Sequence, residues 1–182
     1  MKATLILLTA VMITFFSSTG CISSSTVNAD KPGYFPVVTG TDLHGNDQTF
    51  PECLTKDKTI MVVAFQRWQQ ELCDEWYAAI SKYLEKDENS AFYEVPTISE
   101  MNGFSRWFIH NGMKGGIKDE VMRGQVVTLH IDKEPFKKAL QIETEDTVHV
   151  YIVGKDGKLL KYIPGRFEAA KWTELLNVLE GE

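Results

Sequence analysis

Six consecutive apolar residues, Ile60 to Phe65, run directly into a pattern of a different period. The run has the length and β-branched content of a strand buried on both faces. From Trp68 onward apolar residues recur every four positions, at Leu72, Trp76, Ile80 and Leu84, with Ala79 and Tyr83 widening the stripe. That is one face of an amphipathic helix. A buried strand feeding such a helix is half of a βαβ unit, so Thr59–Leu84 commits the chain to an α/β architecture. The loop between them falls at the carboxyl end of the strand, where open α/β sheets place their chemistry. Cys73 lies there, in the first turns of the helix.

The remaining elements fall around this unit. Pro36 to Thr41 and Gln48 to Phe50 read as a hairpin turned by His44-Gly45-Asn46-Asp47. Ala91 to Ile98 reads as a second strand, with Pro96 near its end, where a missing donor is tolerated. Ser99 to Gly112 reads as a helix with Phe104, Trp107 and Phe108 as its apolar face, Arg106 solvated opposite, and Gly112, Gly115 and Gly116 interrupting it. Lys118 to Arg123 forms a short helix, Val126 to Ile131 a strand, and Glu134 to Leu140 a helix. Thr147 to Val153 and Lys158 to Ile163 pair antiparallel about Lys155-Asp156-Gly157, and Glu168 to Leu179 closes the chain as a helix.

The first twenty residues are not part of this pattern. Lys2 precedes an apolar run, Thr4 to Phe16, too short for a comfortable membrane span, and Ser17-Ser18-Thr19-Gly20 brings small residues up to Cys21. This resembles a bacterial lipoprotein signal, which implies cleavage before Cys21 and lipidation of its thiol. Ile22 after the cysteine, by resemblance to Gram-negative sorting, implies the periplasmic face of the outer membrane. The expected organisation is a signal peptide over 1–20, a lipidated cysteine and Ser-rich tether over 21–35, and one domain over 36–182. The formal charge is −6, which excludes a general field for nucleic acid or anionic lipid. Cys53 and Cys73 flank the central strand, whose six apolar residues span ~20 Å, beyond the reach of a disulfide.

The stretches FPVVTGTDLHGNDQTF, IMVVAF, AFYEVPTI and VYIVGKDGKLLKYIPG with the closing helix, in this order, resemble the thioredoxin-like superfamily. The additional βα unit in the middle resembles its peroxiredoxin-like branch, the alkyl hydroperoxide reductase and thiol-antioxidant group. The resemblance implies a three-layer α/β sandwich with an N-terminal β-hairpin. It also implies where the chemistry belongs. Thioredoxins place two cysteines, two residues apart, at the strand-to-helix junction. Here Gln70 holds the nucleophile position and only Cys73 keeps a thiol, so no dithiol cycle is available. His149 holds the place of the family's cis-proline.

Two other chemistries of the superfamily would fall on the same residues. A peroxidase would use Cys73, but Gln70 and Gln66 stand where Thr and Pro precede the peroxidatic cysteine. Val148 stands where its arginine is found, which leaves Arg67, Arg106 or Arg123 as substitutes. Glu71, Asp74 and Glu75 surround the thiol and should raise its pKa. Copper handling would use Cys73 with His149 alone, since Gln69 replaces the second cysteine and Asp146 lies near the histidine position. His44, His110 and His130 show no ligand spacing, and neither metal nor cofactor is expected. The reading that results is a membrane-anchored envelope lipoprotein with a redox-silent thioredoxin-like domain, a binding or assembly module for an envelope protein. Arg67, Trp68, Gln69, Gln70 and His149 are its candidate contact surface, and a thiol-dependent oxidoreductase or peroxidase using Cys73 is the alternative. The stretch VYIVGKDGKLL resembles the redox-silent mitochondrial ATP-synthase assembly factors.

Overall fold

A computed structural model describes residues 27–29 and 31–181; the expected signal peptide over 1–20 and the expected lipidation site, Cys21, lie outside them. The apolar run becomes β3 (Lys58–Ala64), the strand about which the sheet is built. It pairs parallel with β4 (Ser90–Ser99) and antiparallel with β6 (His149–Gly154), in register Val62↔Glu94 and Val63↔His149. β5 (Val127–Ile131) continues the sheet beyond β4, and the hairpin of β1 (Val38–Asp42) and β2 (Asp47–Phe50) completes that edge. β7 (Leu159–Pro164) forms the other edge, giving the order β2-β1-β5-β4-β3-β6-β7.

Alternation along β3 supplies two cores. Met61 and Val63 face one, with Phe35, Phe50 and Tyr151, under α4 (Lys133–Leu140). Ile60 and Val62 face the other, under α1 (Gln70–Leu84) and α5 (Ala169–Glu180). Trp76 is fully buried in the second core, and its indole nitrogen donates to the Gly165 carbonyl at 2.9 Å. Helices on both faces of one mixed sheet are the sandwich expected from the sequence. Gly40 is required where β1 meets β5: a Cβ there would sit 2.6 Å from the Leu129 side chain and 2.8 Å from the Thr128 carbonyl oxygen.

The middle of the chain departs from expectation. β4 extends through Ser99, and the next helix, α2, spans Gly103–Gly116 with Asn102 as its cap, the Asn102 side chain accepting from the Ser105 amide at 2.9 Å. The glycines expected to interrupt it lie inside it. Its orientation is also reversed. Phe104, Trp107 and Phe108 are 76%, 62% and 68% exposed, and no α2 residue is fully buried. The half-buried stripe is Ser105, Arg106, Ile109, His110 and Met113, and Arg106 turns back to donate to the Met101 carbonyl at 3.0 Å. A short helix, α3 (Glu120–Gln125), follows, and Arg123 ties it to α2 by donating to the carbonyls of Ile117 and Lys114.

Candidate functional site

The chain leaves β3 at Phe65 and makes a 3-10 turn, Arg67–Gln69, before α1 begins. Gln69 holds this turn. It is fully buried; its Oε1 accepts from the amides of Phe65 at 2.7 Å and Gln66 at 3.1 Å, and its Nε2 donates to the Glu145 carbonyl at 2.7 Å. A neutral amide serves here because the cavity offers two donors and one acceptor, which no charged side chain matches. Arg67 and Gln70 are exposed on either side, and Trp68 is 58% exposed. Arg67, Trp68 and Gln70 therefore present a surface, whereas Gln69, grouped with them from sequence, is its internal frame.

Cys73 follows in the first turns of α1 and is buried, with 1% of its surface exposed. Burial is the main cause that pushes its thiol far above the usual range, followed by Glu94 and Asp74. The direction matches the sequence reading and the cause matches in part: of the three carboxylates named there Asp74 contributes, Glu71 does not, and Glu75 turns away to pair with Arg166. Glu94 is the residue that sequence reasoning missed. It projects from β4 toward the same core as Phe92 and is only 2% exposed. Burial, with Asp74 beside it, pushes its carboxyl up to about 7, against a hydrogen bond from the Gln70 side chain. The signal was available: Phe92, Glu94, Pro96 and Ile98 share one face of a central strand, where a lone carboxylate is out of place.

His149 opens β6 and is 1% exposed, so it too leaves the proposed surface. Its Nε2–H donates to the Thr144 carbonyl at 3.0 Å, which leaves Nδ1 to accept from the Tyr162 hydroxyl at 2.9 Å. Burial lowers its pKa, and the ring is a fully engaged group that stacks on Tyr162 and meets Phe65 edge-on. By strand alternation it faces the core of Tyr151 and Val153, whereas Cys73 faces that of Val148 and Val150. The sheet separates the two, so they do not form a common copper site. No cluster of three or more His, Cys, Asp or Glu with metal-holding geometry occurs among the described residues. Cys53 and Cys73 are free thiols on opposite faces of the sheet. Burial, its largest cause, pushes Cys53 up to about 11.

The other histidines divide. His44 Nε2 pairs with the Glu120 carbonyl at 2.9 Å, as a satisfied structural histidine would. His130 is not satisfied: its Nδ1 is buried without a hydrogen-bond partner among the described residues. Burial, then Arg106 and His110 nearby, lowers its pKa to about 4. Of the arginines considered for a peroxidase, Arg106 and Arg123 are committed to backbone carbonyls.

Residues 19–162 match the model of the family described as ATP10 protein. No curated protein matches the chain. Among solved structures, the chain is similar to a protein of Aquifex aeolicus VF5 provisionally described as an electron transfer protein, at 15% identity and TM-score 0.58, covering 84% of this chain and 100% of that one. It is similar to the exposed lipoprotein thioredoxin Etrx1 of Streptococcus pneumoniae strain TIGR4, at 15% identity and TM-score 0.52, covering 76% and 96%. It is also similar to BsSco, described as a member of the Sco family of cytochrome c oxidase assembly proteins, at 14% identity and TM-score 0.55, covering 82% and 93%. At these identities the likeness is one of fold, and the fold is thioredoxin-like.

Proposed function

The chain belongs to the ATP10 protein family, and on that premise we propose that it is a redox-silent assembly module of the bacterial cell envelope, held to a membrane through a lipid on Cys21. The observation that carries this reading is the sealed thiol. Cys73 is 1% exposed beneath Gln70, no second thiol stands in its loop, and Glu94 and Asp74 oppose its ionisation. A thiol enzyme needs an accessible thiolate, and this site withholds one. The extra βα unit that likens the chain to peroxiredoxins contributes architecture, the α2 region, rather than their chemistry. What the loop does offer outward is Arg67, Trp68 and Gln70 on a turn fixed by Gln69, and a rigid Arg-Trp pair is suited to protein recognition. Assembly of a membrane-bound complex is the role that the ATP10 family and the likeness to an assembly protein of the Sco family support.

Anchoring rests on the sequence. An apolar run ending in Ser18-Thr19-Gly20-Cys21 supports a lipoprotein signal, and Ile22 supports the periplasmic face of the outer membrane. No helix among the described residues is long and apolar enough to cross a membrane. The test is complementation of a deletion strain. Cys73→Ala should restore the phenotype fully, Arg67→Ala with Trp68→Ala should not, and Cys21→Ser should leave the protein unprocessed or soluble. A folded Cys73→Ala chain that fails to complement would overturn the redox-silent reading.

A further inference from the structure

We propose that α2 is a membrane-surface helix that lays Phe104, Trp107 and Phe108 into an anionic bilayer. These residues lie at spacings of three and four, on one face of the helix, and are 76%, 62% and 68% exposed. Three large aromatic side chains left together in water mark a surface that meets something else. The helix is also poorly supported from within. It contains Gly112 and Gly115 in its interior, where glycine favours a helix less than alanine does, and Gly103 and Gly116 at its ends, and beyond the helix's own backbone none of the four has a neighbour within 4 Å of where a Cβ would be. With no fully buried side chain and no packing need for its glycines, α2 gains its remaining stabilisation from whatever covers its aromatic face.

Charge identifies the occupant. The chain carries −6 and as a whole repels an anionic surface. From Met101 to Lys118, however, there is no acidic residue, while Arg106, Lys114 and Lys118 are basic. None of the three has an acidic partner among the described residues. Arg106 faces the sheet, so Lys114 in the last turn of α2 and Lys118 just beyond it are the cations that accompany the aromatic face, and aromatic side chains with cations beside them are what an interfacial helix presents to anionic lipid. The anchor proposed above places the domain within reach. Five residues separate Cys21 from Val27, where the described chain begins, so the two lie at most ~20 Å apart, about half the width of a domain this size. The tether fixes proximity and α2 fixes which face meets the bilayer. This last step rests on the anchored reading; the composition and exposure of α2 do not.

The experiment uses the full chain with a benzophenone amino acid in place of Phe108, reconstituted in vesicles of phosphatidylglycerol and phosphatidylcholine and irradiated. The expected product is a lipid adduct, reduced at least about tenfold by Phe104→Ser with Trp107→Ser, which removes apolar surface, and reduced also in phosphatidylcholine alone, which removes the anionic charge. Both serine positions are exposed, and an unchanged circular dichroism spectrum confirms the fold. An adduct to a second copy, an adduct to another protein, or no adduct from membrane-bound chain overturns the proposal. Cys21→Ser in the same vesicles separates the two readings: continued fractionation with membranes would remove the anchor and leave α2 docking, while a missing adduct in the anchored chain does the reverse.

Discussion

Gln69 and Glu145 are joined by a 2.7 Å hydrogen bond from a side-chain amide to a backbone carbonyl, and this bond locks the loop after β3 to the loop before β6. The same side chain accepts the amides of Phe65 and Gln66. Gln69→Ala would leave two buried donors and one acceptor unpaired. A cost of about 2–4 kcal/mol is expected, since each orphaned buried group costs ~1–3 kcal/mol and the loop relaxes in part. Gln69→Glu should be worse near neutral pH, because a carboxylate faces the Glu145 carbonyl. Urea unfolding of the two variants checks this; a loss under about 0.5 kcal/mol for Gln69→Ala, the range of ordinary surface substitutions, would show that the loop does not depend on the amide.

Glu94 should make stability fall as pH rises through the mildly acidic range. Burial pushes its carboxyl from the ordinary value of 4.5 up to about 7 on folding. Between those values the folded state binds more protons than the unfolded one, so unfolding free energy decreases with pH. The stability is fully present below the lower value and lost above the upper one. The span is worth about 3 kcal/mol at ~1.4 kcal/mol per unit. Glu94→Gln keeps the shape and the hydrogen bond to Gln70 but removes the titration. It should therefore match the native chain at acidic pH and exceed it by about 2–3 kcal/mol above neutrality. The difference between the two chains isolates Glu94 from the histidines, whose lowered pKa values act in the opposite direction: their contribution is present above the unfolded value of 6.5 and lost on acidification. A difference that does not vary with pH would contradict the burial of this carboxylate.

His149 should be neutral, with its proton on Nε2, throughout the physiological range. The tautomer is dictated by the Thr144 carbonyl on one side and the Tyr162 hydroxyl on the other. Nitrogen chemical shifts of the ring report it directly. Tyr162→Phe removes the donor to Nδ1 and should cost about 1 kcal/mol, the net value of one hydrogen bond. Observation of an Nδ1–H tautomer would reverse the assignment of donors.

Much of this architecture was legible because period and length distinguish its elements. The run Ile60–Phe65 specified the central strand, and the stripe Leu72, Trp76, Ile80 specified the face of α1 that is buried. What was not legible depended on three dimensions. Apolar character alone placed Phe104, Trp107 and Phe108 inward, but the sheet beneath α2 is lined by His130 and Thr128, and it takes the polar and mixed stripe of Arg106, His110 and Met113 instead. Gln69 and His149 looked like surface because they are polar and near the loop. Each is buried because backbone groups 76 and 5 residues away in sequence arrive to satisfy it. The acidic neighbours of Cys73 in sequence, Glu71 and Glu75, mattered less than Glu94, which β4 brings up from beneath.

The equivalence of Gln70 with a thioredoxin nucleophile makes a constructive prediction. Gln70 is the first residue of α1 and exposed; Cys73 is the fourth and buried. That is the pairing of accessible and sheltered positions a dithiol site requires, with one thiol absent. The rise and radius of an α-helix put the Cα atoms of residues three apart ~5 Å from one another, within the Cα range that a disulfide spans. Gln70→Cys should therefore form an intramolecular disulfide with Cys73 under mild oxidation, detectable as two free thiols lost per folded chain. The introduced thiol lies at a helix N-terminus, which favours its thiolate. Insulin reduction, expected at background in the native chain, should rise in this variant and disappear again when Cys73→Ala is added. It should remain sluggish, because burial, Glu94 and Asp74 hold Cys73 protonated and slow its attack on the mixed disulfide. Combining Gln70→Cys with Glu94→Gln removes one of those charges, together with the hydrogen bond that the native Gln70 amide gives Glu94, and should accelerate turnover. Failure of the folded Gln70→Cys chain to form the disulfide would mean that Gln70 is not the position the superfamily uses, and the redox-silent assignment would have to be argued on the burial of Cys73 alone.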